Sequence, residues 1–174
     1  MFMRLLRYFF LVTCFICTAC AAQAQSSEPK LIATHGDWSA YSFTEGDKNV
    51  CYILSTPKKA VGAYKKRGEI FALVTHRPGE KSRNVFSVMA GYTYKSDAPV
   101  QLMIDNQKFV LFAHNDSAWA PDTATDNRIA EALRKGKTMT IKGASSKGTE
   151  TTDTYGLKGT GAAFDAINKA CPES

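Results

Sequence analysis

The sequence predicts a mainly β domain, a β-sandwich, with two short helices of which the second closes the C-terminus. Apolar and polar residues alternate with a period of two in several short segments, and residues typical of turns separate these segments. Helical spacing of apolar residues is confined to two stretches after residue 125. Neither a repeat nor a linker divides residues 36–174, so we predict one domain there, preceded by an N-terminal segment at 25–35.

Eight segments are predicted to be strands, and one of them, 70–75, is a continuous apolar run that is predicted to be buried on both sides. Residues 57–68 are rich in Lys, Gly and Pro and are predicted to form a loop, and the polar residues 25–30 are predicted to be disordered. Asn106 and Gln107 have the length of a two-residue hairpin turn, in which Asn106 is expected to take a positive φ. The predicted strands are 38–43, 50–55, 70–75, 84–90, 100–105, 108–113, 137–142 and 149–155.

The first predicted helix follows Asp126, a residue type that caps helix N-termini. Ile129 and Leu133 are four residues apart and share one face of this helix. Gly136 comes directly after it and is typical of a helix end. The pattern predicts a helix that packs one apolar face on the sheet.

The first 24 residues have the three parts of a secretion signal. Arg4 and Arg7 supply a positive start, residues 8–22 are almost entirely apolar, and Ala22-Gln23-Ala24 is the small-x-small pattern that signal peptidase cleaves. We therefore predict cleavage after this motif and export to the periplasm, the outer membrane or the extracellular medium. Two alternatives are an uncleaved membrane anchor and a lipoprotein modified at Cys20.

Cleavage of the signal removes three of the five cysteines and leaves Cys51 and Cys171. Two cysteines in an oxidising compartment normally pair, so we predict a disulfide between them. The second predicted helix starts near Thr160 and places Phe164, Ile167 and Cys171 on one stripe that faces the sheet, which favours a bond to a strand cysteine. The alternatives are a reactive thiol or a metal pair, which lacks further ligands nearby.

No residue pattern specifies an enzyme, a cofactor or a metal site. His35, His76 and His114 lack the spacing of a zinc motif, and each is predicted at a strand end or turn, in contact with solvent. Asp122 and Asp126 are predicted to lie in polar surroundings at the start of a helix, without a raised pKa, rather than to form an acid–base pair. The chain also lacks a G-x-S-x-G nucleophile elbow and a Gly-rich phosphate loop.

Four aromatic residues have two interpretations. Trp38, Trp119, Tyr92 and Tyr94 are candidates for stacking on a ligand or for packing inside the domain. Strand spacing favours packing in the core for both tryptophans, and it leaves Tyr94, which is close to a turn, open.

A basic loop is the one candidate binding segment. Without Arg4 and Arg7, 20 basic and 16 acidic residues give the mature chain a net charge of +4, and five of the cations fall within ten residues. We predict weak, reversible contact with anionic membranes through this loop, because basic residues near an anionic surface are attracted to it. The alternative is a solubilising loop that keeps a sheet edge from pairing. The five cations are Lys58, Lys59, Lys65, Lys66 and Arg67.

An ordered series of short motifs covers nearly the whole mature chain. They are Gly36-Asp37-Trp38, Cys51, Gly91-Tyr92, Ile104-Asp105, Lys108-Phe109, Ala118-Trp119, Gly136, Gly148-Thr149, Thr152-Asp153, Tyr155-Gly156-Leu157 and Cys171. This series resembles the invasion-associated locus B family of alphaproteobacteria. The resemblance implies an exported, immunoglobulin-like β-sandwich and, for the namesake members, a contribution to the invasion of host cells, notably erythrocytes. It carries over no catalytic residue.

Residues and resemblance together predict an exported, non-enzymatic envelope or secreted protein that acts by binding. Its expected partner is an unidentified component of the envelope or of a host surface, not nucleic acid, and the oligomeric state is open. Two alternatives are an enzyme that acts on envelope or glycan substrates and a structural periplasmic protein.

Overall fold

Eleven strands and two α-helices make up residues 26–173, the part of the chain that the computed structural model describes. The mainly β, sandwich-like fold with two short helices is confirmed. The predicted signal peptide, with its cleavage site and Cys20, lies outside the described residues. The strands are β1 Lys30–His35, β2 Trp38–Glu45, β3 Lys48–Ser55, β4 Lys59–Gly62, β5 Phe71–Arg77, β6 Ser82–Met89, β7 Val100–Ile104, β8 Gln107–His114, β9 Ser117–Trp119, β10 Thr138–Ala144 and β11 Glu150–Gly156. The helices are α1 Thr123–Lys135 and α2 Thr160–Ala170, and a 3-10 turn spans Pro78–Glu80.

All strand pairs are antiparallel, and the hydrogen-bonded order is β1-β2-β3-β5-β6-β9-β8-β7-β10-β11-β4. β8 joins the two halves of this order. Its first five residues pair with β7, whereas its last three, which end at His114, pair with β9. β1 and β4 are therefore the two edges of the sheet among the described residues.

Alternation with a period of two decides which side chains form the core. In β5, Ala72, Val74 and His76 are buried and the residues between them are half-exposed. Trp38 and Tyr155 are wholly buried, and the indole Nε1–H of Trp38 donates to the carbonyl oxygen of Gly156 at 3.0 Å. Burial of each large apolar side chain stabilises the fold by roughly 1.5–3 kcal/mol.

α1 begins four residues earlier than the sequence predicts. Asp122 is its N-cap, and the Oδ1 atom of Asp122 accepts the Thr125 N–H at 2.7 Å. The prediction of Asp126 as the cap is wrong: this residue is buried, and its Oδ1 accepts the Phe86 N–H at 2.8 Å. The predicted apolar face of Ile129 and Leu133 is buried, and Gly136 is the C-cap.

α2 ends at the predicted disulfide. Phe164 and Ile167 are buried, and Cys171 follows the helix as its C-cap residue. The structure contains the Cys51–Cys171 bond, which joins residues 120 apart in sequence with a Cα–Cα distance of 6.0 Å. Within residues 26–173 no helix has the length and apolar content needed to cross a membrane.

The N-terminal segment is ordered where the sequence predicts disorder. The Ser27 N–H donates to the Thr44 carbonyl oxygen at 2.9 Å, and the Ser27 hydroxyl accepts the Thr44 N–H at 2.8 Å. β1 then pairs with β2 along its length. The predicted loop at 57–68 likewise contains β4, which pairs with β11.

The hairpin between β7 and β8 turns one residue earlier than predicted. Ile104 pairs with Gln107, so Asp105 and Asn106 form the turn, and Asp105 takes the positive φ of 49°. The carboxylate of Asp105 also accepts the Thr138 N–H at 3.0 Å. These bonds place the turn beside the start of β10.

Candidate binding surfaces

The five cations of the predicted basic loop do not form one exposed patch. Lys58 pairs with Asp37, with Nζ and Oδ1 2.6 Å apart. Lys59 lies on the edge strand β4, where it is exposed. Lys65 and Lys66 are exposed beyond the strand, whereas the Arg67 side chain is buried. The prediction that Arg67 belongs to an exposed cationic surface is therefore wrong.

Arg67 forms a buried pair with Asp153. Both guanidinium NH groups reach the carboxylate, at 2.7 and 2.6 Å, and both side chains are only 3% exposed. The Nε–H donates to the Ala90 carbonyl oxygen at 2.6 Å, and the guanidinium carbon lies 5.4 Å from the Tyr64 ring centre and 4.9 Å from that of Tyr92. Burial is the largest single effect and opposes the charged form, but the hydrogen bonds and the negative charge of Asp153, with smaller contributions from Tyr64 and Tyr92, together outweigh it, so the pKa of Arg67 is raised.

The loop that Arg67 anchors forms one wall of a pocket of about 500 Å³. We call this site the lysine pocket, after Lys65, Lys66 and Lys147, which line it. None of these three lysines forms an ion pair within the described part of the chain, and no carboxylate lines the pocket there. Aromatic and hydroxyl side chains complete its lining, chiefly Tyr64, Tyr92, Thr93, Ser145, Ser146 and Thr149.

Backbone hydrogen bonds fix the opposite wall, the turn between β10 and β11. The Gly148 N–H donates to the Ser145 carbonyl oxygen at 2.7 Å, and the Thr149 N–H donates to the Ser145 hydroxyl at 3.1 Å. Gly148 has a φ of 82°, a conformation that glycine adopts without strain. The Ser146 N–H donates to the Thr93 carbonyl oxygen at 2.7 Å, which ties the turn to the neighbouring loop.

A second surface is created by the cross-strand register of β4, β11, β10, β7 and β8. Side chains that are directly paired lie on the same side of a sheet, and here that side faces away from the core. One row across the five strands is Lys59, Thr154, Thr140, Met103 and Lys108, and the next is Val61, Thr152, Lys142, Gln101 and Val110. We call these two rows the outer face.

The outer face combines unpaired lysines with exposed apolar side chains. Lys59, Lys108 and Lys142 form no ion pair within the described residues, and neither row contains a carboxylate. Val110 is 60% exposed and Met103 is also exposed. A depression of about 520 Å³ lies in this face, between Met103, Val110 and the lysines of β8 and β10.

The apolar surface continues from Val110 to the next outward residue of β8, Phe112. This ring is 52% exposed and stacks on Trp119, with ring centres 5.8 Å apart. Trp119 is half-exposed and does not belong to the core, so that prediction is wrong. Trp38 does lie in the core, and Tyr94 is buried as well, which raises the pKa of its hydroxyl.

His76 is buried, in contrast to the prediction of an exposed histidine. Its Nδ1 accepts the Asn84 N–H at 3.1 Å, so the ring proton is on Nε2, which donates to the Asn168 Oδ1 at 3.0 Å. Burial, together with the nearby Arg83, lowers the pKa of His76. His35 and His114 lie at strand ends, and residues 26–173 contain no group of three metal-ligating side chains.

Asp126 also departs from its predicted surroundings. Burial raises the pKa of Asp126 to about 6, and the neighbouring Asp122 adds to this effect, whereas the hydrogen bond from Phe86 opposes it. The carboxyl group joins α1 to β6 through that bond. Its partner is a backbone N–H, so the geometry gives it a structural role.

Comparison of the sequence with known protein families shows to which family the chain belongs. The family model described as Invasion associated locus B (IalB) protein matches residues 38–168, which include every described strand except β1 and therefore all residues of both surfaces. The chain belongs to the invasion-associated locus B family. No curated protein sequence matches it.

The fold of this family member is also similar to a solved structure. The crystal structure of invasion associated protein B from Bartonella henselae superposes with a TM-score of 0.55 at 16% sequence identity. The match covers 83% of this chain and 99% of the Bartonella chain. At this identity the similarity supports the fold.

Sequence reasoning missed most of the residues that these surfaces contain. Lys147 is 80 residues or more from the basic loop, and Lys108 and Lys142 are isolated cations in separate strands. Alternation does mark Lys108 and Val110 as one side of β8. Strand order and register bring this side of β8 close to Lys142. Neither can be read from the local sequence.

Proposed function

We propose that this protein is exported and acts without catalysis, by binding an anionic lipid surface of the bacterial envelope or of a host cell. The outer face is the observation that carries this proposal. Three unpaired lysines and several exposed apolar side chains lie on two rows across five strands, without a carboxylate among them. Membership of an invasion-associated family supports a role at such a surface.

The expected attraction is moderate. Each lysine close to an anionic bilayer contributes about 1 kcal/mol, so the three outer-face lysines contribute about 3 kcal/mol. Met103, Val110 and Phe112 can enter the interface between head groups and acyl chains and add apolar burial. The contact is therefore reversible, and it weakens with salt because exposed charges are screened.

Vesicle binding tests the proposal. Mature protein is mixed with vesicles of phosphatidylcholine alone or of phosphatidylcholine and phosphatidylglycerol, and the bound fraction is measured by sedimentation. We expect binding to the anionic vesicles only. The triple variant Lys59→Ser, Lys108→Ser and Lys142→Ser should lose about 100-fold in partition coefficient, which corresponds to about 3 kcal/mol.

A matched triple variant controls for net charge. Lys30, Lys158 and Lys169 are exposed lysines outside both surfaces, and their replacement by Ser removes the same formal charge. This control should bind the anionic vesicles nearly as well as the unchanged protein. Equal losses of vesicle binding in the two triple variants would show that the contact depends on net charge alone. That result would refute the outer face as the binding site.

A further inference from the structure

The lysine pocket differs from the outer face in the groups that it offers to a ligand. It is a concave site of about 500 Å³, a volume within the range of small-molecule sites, roughly 300–1,000 Å³. Its walls come from the loop after β4, the loop at 92–93 and the turn between β10 and β11. The two surfaces share no lysine, so binding at one can be measured apart from binding at the other.

The positive charge of the pocket favours an anionic ligand. Lys65, Lys66 and Lys147 are exposed ammonium groups without ion pairs in the described part of the chain. The nearest buried carboxylate, Asp153, is already neutralised by the two hydrogen bonds from Arg67. An anion in the pocket therefore meets three positive charges without opposing charge from its lining.

The neutral groups of the pocket favour a ligand that carries hydroxyl groups as well as a negative charge. The side-chain hydroxyls of Thr93, Ser146 and Thr149 line it and have no hydrogen-bond partner within the described residues. A hydroxyl both donates and accepts, so these groups match the hydroxyls of a sugar. A bare phosphate or sulfate ion would leave most of them, and most of the volume, unused.

Tyr64 supplies an aromatic wall that is held in place. The guanidinium of Arg67 lies over its ring at 5.4 Å, and the buried pair with Asp153 fixes that guanidinium. An aromatic ring with a restrained position presents an apolar surface at low entropic cost, which suits the C–H face of a sugar ring. We infer that the lysine pocket binds an anionic saccharide, a sugar that carries a phosphate or sulfate group.

The inference goes beyond the proposed lipid contact and needs its own probes. Glucose 6-phosphate, glucose 6-sulfate, glucose and inorganic phosphate are titrated into mature protein, and the shifts of backbone amide NMR signals give each dissociation constant. We expect the two charged sugars to bind at least tenfold more tightly than glucose or phosphate, with the largest shifts at residues 64–66 and 145–149. Equal affinities for phosphate and glucose 6-phosphate would overturn the inference, because they would describe an unselective anion site.

Variants locate the binding. Lys65→Ser, Lys66→Ser and Lys147→Ser together should weaken glucose 6-phosphate binding at least tenfold, whereas the matched variant of Lys30, Lys158 and Lys169 should leave it unchanged. The outer-face triple variant should also leave it unchanged, which separates this inference from the proposed function. A pocket variant that is folded by circular dichroism and still binds with full affinity would contradict the inference.

Substitution of the aromatic wall tests the saccharide contact itself. Tyr64→Phe keeps the ring over Arg67 and should retain the affinity for glucose 6-phosphate. Tyr64→Ser should lower that affinity at least fivefold and leave the weaker binding of inorganic phosphate as it was. Unchanged glucose 6-phosphate binding by a folded Tyr64→Ser protein would overturn the role of the ring.

Discussion

Arg67 and Asp153 fix the loop after β4 to the sheet. Removal of two charges from water costs several kcal/mol per ion, so a buried pair is retained only where the geometry is good. Here two parallel hydrogen bonds join the side chains, and a third reaches the Ala90 carbonyl oxygen. The pair leaves no net charge in the interior and holds the Tyr64 ring at the lysine pocket.

Asp126 makes the stability of the fold depend on pH. Its pKa is about 6 in the folded state, against the ordinary value of 3.8 expected in the unfolded chain. The folded state therefore binds this proton more tightly, and the stability that protonation provides is present below pH 3.8 and is lost as the pH rises through 6. We expect Asp126→Asn to raise the free energy of unfolding at pH 7 by about 1–3 kcal/mol, because the amide oxygen can still accept the Phe86 N–H without a charge.

Urea unfolding of the two proteins between pH 4 and pH 7 checks this prediction. The advantage of Asp126→Asn should grow across that interval and should be smallest at its acidic end. Parallel curves for the unchanged protein and the variant would show that the Asp126 carboxyl group does not titrate as described.

Charge and residue type alone do not predict that the side chains of Arg67, Asp126 and His76 are buried. Arg67 looks like part of a run of cations, but its partner Asp153 is 86 residues away in sequence. His76 looks like a polar residue at a strand end, but its side chain shares a side of β5 with Val74 and points to the core. In each case the burial comes from the packing of another element, which local sequence does not contain.

α2 is fastened to the sheet by a group of contacts at its C-terminal end. Arg83 donates to the Cys171 carbonyl oxygen at 2.8 Å and to the Asn168 Oδ1 at 2.7 Å, and His76 also donates to Asn168. The Cys51–Cys171 bond joins the end of this helix to β3. The polar contacts and the disulfide therefore both hold the C-terminal end of α2 against the sheet.

Loss of the disulfide should lower stability strongly. The bond closes a loop of 120 residues, for which loop-closure entropy gives about 4–5 kcal/mol in a model-dependent treatment. We expect Cys51→Ser with Cys171→Ser to lower the thermal midpoint by about 10 °C or more. Calorimetry should give the same midpoint for this variant and for the unchanged protein after reduction by dithiothreitol. A variant that melts together with the oxidised protein would contradict the expected stabilisation.

The strands that the sequence predicts and those that it misses differ in how clearly their local sequence indicates a strand. β5 is predictable as a short continuous apolar run and β11 from its Thr content, which suits a half-exposed strand. In both strands one side is buried and the other half-exposed, so the prediction that β5 is buried on both sides is wrong. β1 contains a register shift between Leu31 and Ala33 that disturbs alternation, and β9 has only three residues. β4 is short and contains Lys59 and Gly62, so composition favours a loop, and its pairing with β11 decides otherwise.

The two binding surfaces share β11, and its alternation separates them. Thr152 and Thr154 belong to the outer face, whereas Thr151 and Asp153 are buried on the other side, next to Tyr92 and Arg67. A shift of β11 by one residue would exchange these sides. The register of β11 is thus required for both surfaces, although none of their lysines is needed for the core.

The position of the protein on a membrane tests the central claim, that the outer face is the lipid-binding surface. Anionic vesicles with a spin-labelled lipid broaden the methyl NMR signals of side chains that approach the bilayer. We expect the signals of Val61, Met103 and Val110 to broaden more than those of Leu31 and Ile32, which are also exposed but lie on β1 at the opposite edge of the sheet. Broadening of Leu31 and Ile32 that equals or exceeds that of the outer face would contradict the account.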